Sequence, residues 1–115
     1  MRSKPVADIL AASKPTEWRP LDPENTLYLE LPAGRVVLEL APDFAPEHVR
    51  NIKTLVREKY FDGLSILRAQ DNYVVQWGDP NDEDASAKPL GSAKATLPPE
   101  YTARITPAIP FTRLP

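Results

Sequence analysis

The residues best equipped for chemistry lie between Tyr60 and Pro80, in the stretch YFDGLSILRAQDNYVVQWGDP. Arg68 closes the short apolar run Ile66-Leu67, which puts a permanent cation at the end of a β-type segment. Asp71-Asn72 breaks the pattern, and Tyr73-Val74-Val75-Gln76-Trp77 resumes it with β-branched and aromatic residues. Two strands around such a break form a hairpin, so a guanidinium, an amide and a phenol can meet on one sheet surface. Arginine suits the task of polarising a carbonyl or amide, because it stays charged and presents several N–H donors in a fixed fork. For Arg68 the bland alternative is a cross-strand salt bridge, and for Tyr73 it is packing. Gln76 taken alone carries almost no information.

Other chemistries are narrowed by composition. The chain has no cysteine, so disulfides and thiolate metal sites are excluded. Its one histidine, His48, cannot build a multi-histidine metal site and reads as a surface residue. Asp79, Asp82, Glu83 and Asp84 form an acidic run, but without the glycine-spaced oxygen ligands of a calcium loop it reads as solvated. We therefore expect no metal and no cofactor. The net charge is −2 and the pI about 5.4, which lacks the basic footprint of a nucleic-acid binder. No apolar stretch approaches the roughly 20 residues that cross a bilayer. The start, MRSKPVADILAASKP, has no continuous apolar h-region, so as written the chain reads as cytoplasmic, or periplasmic if a signal was removed.

The elements that position the candidate site follow from periodicity. At 115 residues the chain makes one domain at most, and 42% hydrophobic residues with a mean hydropathy of −0.39 imply a modest core. Of its 14 prolines, none lies from Glu47 to Asp79, so regular structure is expected to concentrate there. Thr26–Leu31 and Arg35–Leu40 alternate, with Leu27, Leu29, Leu31, Val36, Leu38 and Leu40 inward. The loop Pro32-Ala33-Gly34 joins them into an antiparallel hairpin. Pro46 at a first helical position and Val49, Ile52, Leu55 and Val56 at helical spacing predict a helix over about 46–59. That helix should cap an open end of the sheet, with Phe44 packed under its start. Strands are expected at Leu64–Arg68 and Tyr73–Trp77, and Tyr101–Ile105 is the only later stretch able to pair, as an edge strand. The domain division is 1–25 as an N-terminal extension, 26–80 as the core, and 81–115 as a Pro-rich irregular segment or insertion. Within the extension a short helix is expected over Val6–Ala12, followed by an extended segment anchored by Trp18 and Leu21.

Taken in order, the hairpin, the Pro-initiated helix, the aromatic-Asp-Gly turn, the arginine strand and the Gln-x-Gly-Asp-Pro strand resemble the first half of a cyclophilin-type peptidyl-prolyl cis-trans isomerase. The similar text is GRVVLELAPDFAPEHVRNIKTLVREKYFDGLSILRAQDNYVVQWGDP, Gly34 to Pro80, about two-fifths of the chain. Family members read there approximately as a strand ending in EL, a P…APxTVxNF helix, and YYDGxxFHRVIxxFxxQGGDP. The resemblance implies a mainly β fold, a closed antiparallel barrel of eight strands capped by two helices, of which this chain carries only the first half. It implies rotation about X–Pro bonds of protein substrates during folding, with Arg68 matching the catalytic arginine. Tyr73 falls at the proline-contacting aromatic and Gln76 at the backbone-binding glutamine. Ile66 and Trp77 complete the expected substrate-binding set, and both depart from the pattern. Ile66-Leu67 stand where Phe-His is common, and Trp77 replaces a small residue, where its ring either narrows the groove or fills a slot. The later asparagine strand, second pocket phenylalanine, indole and histidine find no match.

Implied partners are proline-containing peptides or unfolded proteins and cyclosporin-type ligands, and a half-barrel invites oligomerisation through exposed strand edges. Two other outcomes remain open from sequence: a non-catalytic proline-peptide-binding or chaperone-like module, and an inactive truncated fragment.

Overall fold

The computed structural model describes residues 3–107. The chain divides into two compact units, Met1–Leu40 and Ala41–Pro115, and each is described by itself.

In the first unit, helix α1 (Val6–Ala12) buries none of its side chains. Single 3-10 turns follow at Pro15–Glu17 and Pro23–Asn25, each begun by a proline whose missing N–H costs nothing there. Trp18 and Leu21, expected as anchors, are 59% and 53% exposed. The polar contacts of this segment are both local and long-range: Trp18 Nε1 donates to Ser13 Oγ at 2.8 Å and Lys14 N to Glu17 Oε2 at 2.7 Å, while Arg19 Nη1 donates to Glu39 Oε2 at 3.0 Å. The segment is held by the Arg19–Glu39 ion pair rather than by its apolar side chains, which stay at the surface.

Strands β1 (Thr26–Leu31) and β2 (Gly34–Glu39) form an antiparallel hairpin closed by Pro32-Ala33, with Gly34 at φ 146°. The register pairs Leu27 with Leu38 and Leu29 with Val36 on one face, and Tyr28 with Val37 and Glu30 with Arg35 on the other. Leu27, Leu29, Leu31, Leu38 and Leu40 are only half-buried and Val36 is exposed, although Val36 was expected inward. Two strands alone give that face no second layer at the turn end, where Val36 lies. The opposite face is polar: Arg35 Nε donates to Glu30 Oε1 at 2.6 Å and its guanidinium lies over Tyr28.

In the second unit, α2 (Pro46–Arg57) holds both buried hydrophobic residues found among the described ones, Val49 and Leu55. The other two members of the expected stripe differ: Ile52 is half-buried and Val56 is 40% exposed. The helix stops two residues before Lys59. Tyr60 N donates to Leu55 O and Lys59 N to Val56 O, the paired bonds of a Schellman ending, with Lys59 at φ 59°. Phe44 remains 48% exposed rather than tucked beneath the helix start.

After the turn at Gly63 come β3 (Ser65–Gln70) and β4 (Val74–Gly78), an antiparallel pair. Both lie slightly later in the chain than expected. The two hairpins are separate two-stranded sheets, and no closed barrel is present among the described residues. Tyr101–Ile105, the expected edge strand, is irregular, with Tyr101 93% and Ile105 77% exposed. Pro98-Pro99 just ahead of it remove successive ladder donors.

Candidate functional site

The β3–β4 hairpin brings Arg68 and Gln76 together as direct cross-strand partners. A register shift between Ile66 and Arg68 makes this pairing: Ile66 faces Trp77, Arg68 faces Gln76, and Leu67 is the extra residue. Such a bulge re-phases the strand, which re-aims the side chain that follows it. Beyond the bulge the ladder is regular, with Ala69 opposite Val75 and Gln70 opposite Val74. Asn72 closes the turn at φ 53°, a conformation that asparagine tolerates better than most residues.

The Arg68 guanidinium lies 5.6 Å from the centre of the Tyr73 ring, and its Nη2 donates to Gln70 Oε1. Arg68, Gln70 and Gln76 are exposed and Tyr73 is 69% exposed, so this is an open sheet surface. Ile66 is 38% exposed on the far side of the bulge. Chemically the set offers fixed N–H donors and an aromatic face, without a nucleophile–base pair. It is equipped to hold and polarise an amide.

Trp77 is half-buried, its ring 6.4 Å from that of Phe61, which in turn meets Tyr60 edge-on at 5.3 Å. The next residues lock the end of β4. Asp79 is buried and accepts from Lys88 N at 2.6 Å and Asn81 N at 2.9 Å. These two N–H groups, Lys88 first, hold its carboxyl below the ordinary range despite the opposing effect of burial. The Lys88 ammonium donates to Asp62 O at 3.0 Å and Lys59 O at 3.3 Å and lies over the Tyr60 ring. Burial, then the charges of Asp79 and Asp82, raise the Tyr60 phenol. Asp79 is therefore a structural member of the acidic run, whereas Asp84 accepts locally from Ser86 N at 2.7 Å.

Residues 88–100 run along the polar side of α2 as a strap. Ser92 N donates to Glu58 Oε2 at 2.9 Å, and Asn51 exchanges two bonds with the Lys94 backbone at 2.8 and 2.9 Å. Glu100 accepts from Glu47 N at 2.9 Å and His48 N at 3.0 Å, supplying the N-terminal cap that Ala45 cannot. His48 Nδ1 lies 2.5 Å from the same carboxylate, so this histidine, read as a surface residue, has a partner. Burial pushes the Glu100 carboxyl up, and the donors from His48 and Glu47 outweigh it and bring it below its usual value. An open cleft of about 420 Å³ lies beside this cap, lined by Ala45, His48, Leu97, Pro99, Glu100 and Tyr101.

Sequence reasoning did not single out Gln70, Lys88 or Glu100. Gln70 had a readable signal, its spacing of two from Arg68 on a strand. Glu100 had none, because it caps a helix about fifty residues upstream. Among the described residues no group of three or more His, Cys, Asp or Glu is placed to hold a metal, and no helix is long and apolar enough to cross a membrane.

An arginine set by a bulge opposite a glutamine, with an aromatic ring beside it, presents hydrogen-bond donors and an aromatic face on one hairpin. Residues 26–108 match the family described as cyclophilin type peptidyl-prolyl cis-trans isomerase/CLD, and the chain belongs to that family. The match continues past Pro80 through the strap. A protein of Brucella suis biovar 1 named probable peptidyl-prolyl cis-trans isomerase is 50% identical over 58 residues, which cover 50% of this chain and 30% of that protein. A Brucella abortus protein of the same name is 48% identical over the same length and coverage. The human protein named peptidyl-prolyl cis-trans isomerase-like 1 is 35% identical over 71 residues, covering 62% of this chain and 40% of that protein. The aligned part is thus less than half the length of these relatives. No solved structure matches the chain.

Proposed function

We propose that this chain carries the donor side of a prolyl-isomerase site, acting on X–Pro bonds of peptides or unfolded protein segments. Rotation about such a bond crosses a barrier of about 18–20 kcal/mol, while the two ground states differ by only about 0.5–1 kcal/mol. No bond is made or broken, so the catalyst needs no cofactor. It needs to favour the half-rotated amide, in which resonance is lost and the nitrogen becomes a lone-pair acceptor. Arg68 is the donor aimed at that nitrogen. Gln76 holds the substrate backbone, Tyr73 offers its ring to the proline, and Ile66 with Trp77 borders the apolar side.

The single observation that carries this reading is the pairing of Arg68 with Gln76 across the bulged hairpin, inside the matched family region. A preorganised donor aimed at a transition state is worth about 10²–10³ in rate where water is excluded, and less on an open surface. A chymotrypsin-coupled proline-peptide assay tests it: the chain should accelerate isomerisation and Arg68→Ala should not. Equal rates for the two proteins would sink the assignment.

The exposure of Arg68, Gln76 and Tyr73 favours a second reading, a proline-peptide-binding or chaperone-like module without turnover. Titration with a proline peptide, or with a cyclosporin-type ligand, separates the two, since binding without acceleration selects the module. The family's closed barrel is the architecture into which both hairpins fit as strand pairs. The half-buried leucine face of the first hairpin and the unpaired edges of both support that reading, and equally support self-association through strand edges.

A further inference from the structure

We propose that Gln70 is a positioning residue for Arg68, one that fixes the guanidinium in the orientation catalysis needs; this rests on the reading of Arg68 as the amide donor. Alternate residues of a strand share a face, so Arg68 and Gln70 project to the same side of β3. The register extends that face to Gln76 and Val74, their direct partners on β4. The guanidinium is restrained from two directions, because its Nη2 donates to Gln70 Oε1 and its centre sits 5.6 Å from the Tyr73 ring. An exposed arginine otherwise spreads over many rotamers, and its planar fork loses its value as a directed donor when the plane turns freely. Gln70 accepts one of five N–H groups and leaves the others for substrate.

The arrangement is local and sturdy. The bulge ends at Arg68, and residues 68–70 pair without further shift with 74–76, so the backbone beneath both side chains is a regular ladder. Gln70 touches the guanidinium and not the reacting bond, which separates its role from that of Gln76.

The test uses the full chain and the variants Gln70→Leu and Gln70→Glu. Cis–trans exchange of a proline tetrapeptide is measured by NMR, peptide affinity by titration, and rotation of the Arg68 guanidinium about Cζ–Nε by nitrogen-15 NMR of its Nη groups. Gln70→Leu should slow turnover by about tenfold with affinity changed less than twofold, and should speed rotation of the Arg68 guanidinium. Gln70→Glu should restore both, because a carboxylate accepts from a guanidinium at least as well as an amide oxygen. Wild-type turnover and guanidinium rotation in Gln70→Leu would overturn the proposal. So would a failure of Gln70→Glu to rescue, or an equal loss of affinity and turnover, which would mark a direct substrate contact. If the wild-type chain and Arg68→Ala isomerise the peptide equally, the functional reading fails. The restraint itself is then judged by guanidinium rotation alone, and rotation as fast in the wild-type chain as in Gln70→Leu overturns it.

Discussion

Lys59 offers a quantitative check on how the chain turns from helix α2 toward the site. It occupies the C′ position of a Schellman ending at φ 59°, where glycine is the common residue. A side chain there costs about 1–2 kcal/mol from the clash of Cβ with the following carbonyl oxygen. Lys59→Gly removes that clash but adds freedom to the unfolded chain, a loss of roughly 0.5–1 kcal/mol. The net expectation is a gain of roughly 0.5–1 kcal/mol. The backbone carbonyl of Lys59 that accepts from Lys88 Nζ survives the substitution, so no compensating bond is lost. Urea unfolding followed by far-ultraviolet circular dichroism measures the difference, with Lys59→Ala as the control that keeps a Cβ and should match wild type. A midpoint lowered by Lys59→Gly, or raised equally by both variants, would refute the assignment of strain to this residue.

Leu55→Ala should cost about 2–3 kcal/mol, at the lower end for leucine truncations because the surrounding core is small; urea unfolding would show it, and a loss under 1 kcal/mol would mean Leu55 is not a core residue. Trp77→Gly should lose the Phe61 contact, about 0.5–1.5 kcal/mol beyond the area exposed, and should weaken peptide binding by removing the apolar border of the site. A marked tightening in that variant would assign Trp77 to narrowing the groove. Acid should release the strap. The Glu58 carboxyl is lowered by Ser92, Asp79 by Lys88 and Asn81, and Glu100 by His48 and Glu47 against its burial. Each therefore binds fewer protons folded than unfolded, so its contribution is complete above its ordinary value, 4.5 for Glu and 3.8 for Asp, and is lost as pH falls through the depressed folded value. Protection of the Lys88 and Ser92 amides against hydrogen exchange, taken relative to their intrinsic rates, should fall on acidification, and unchanged protection at pH 3 would contradict this.

Much of the local structure was legible because it is written in short periods. Leucines at 27, 29 and 31 announced a strand, Pro46 and the 49–52–55 spacing announced a helix, and Asp71-Asn72 announced the turn that sets Arg68 opposite Gln76. Strand boundaries slipped because a bulge at Leu67 has no sequence signature apart from its neighbours. What stayed hidden was long-range. The carboxylate of Glu100 caps α2, Lys88 ties the turn after that helix to the loop following β4, and Asp79 leaves an acidic run to go inside. Each is a pairing between a side chain and a backbone group, two to nine residues away for Asp79 and far along the chain for Glu100 and Lys88, to which periodicity is blind. Exposure was misjudged for a related reason: Trp18, Val36 and Phe44 are apolar, but burial depends on what lies opposite them.

The central claim is that a guanidinium held on the β3–β4 face lowers the energy of a half-rotated prolyl amide. Exchange NMR on a single Ala-Pro peptide, with no protease present, reads this directly as the rate of cis–trans interconversion with catalytic amounts of chain. The account predicts an accelerated rate that falls to the uncatalysed value with Arg68→Ala, the folded hairpin being verified in the same sample. Acceleration that persists in Arg68→Ala would contradict it.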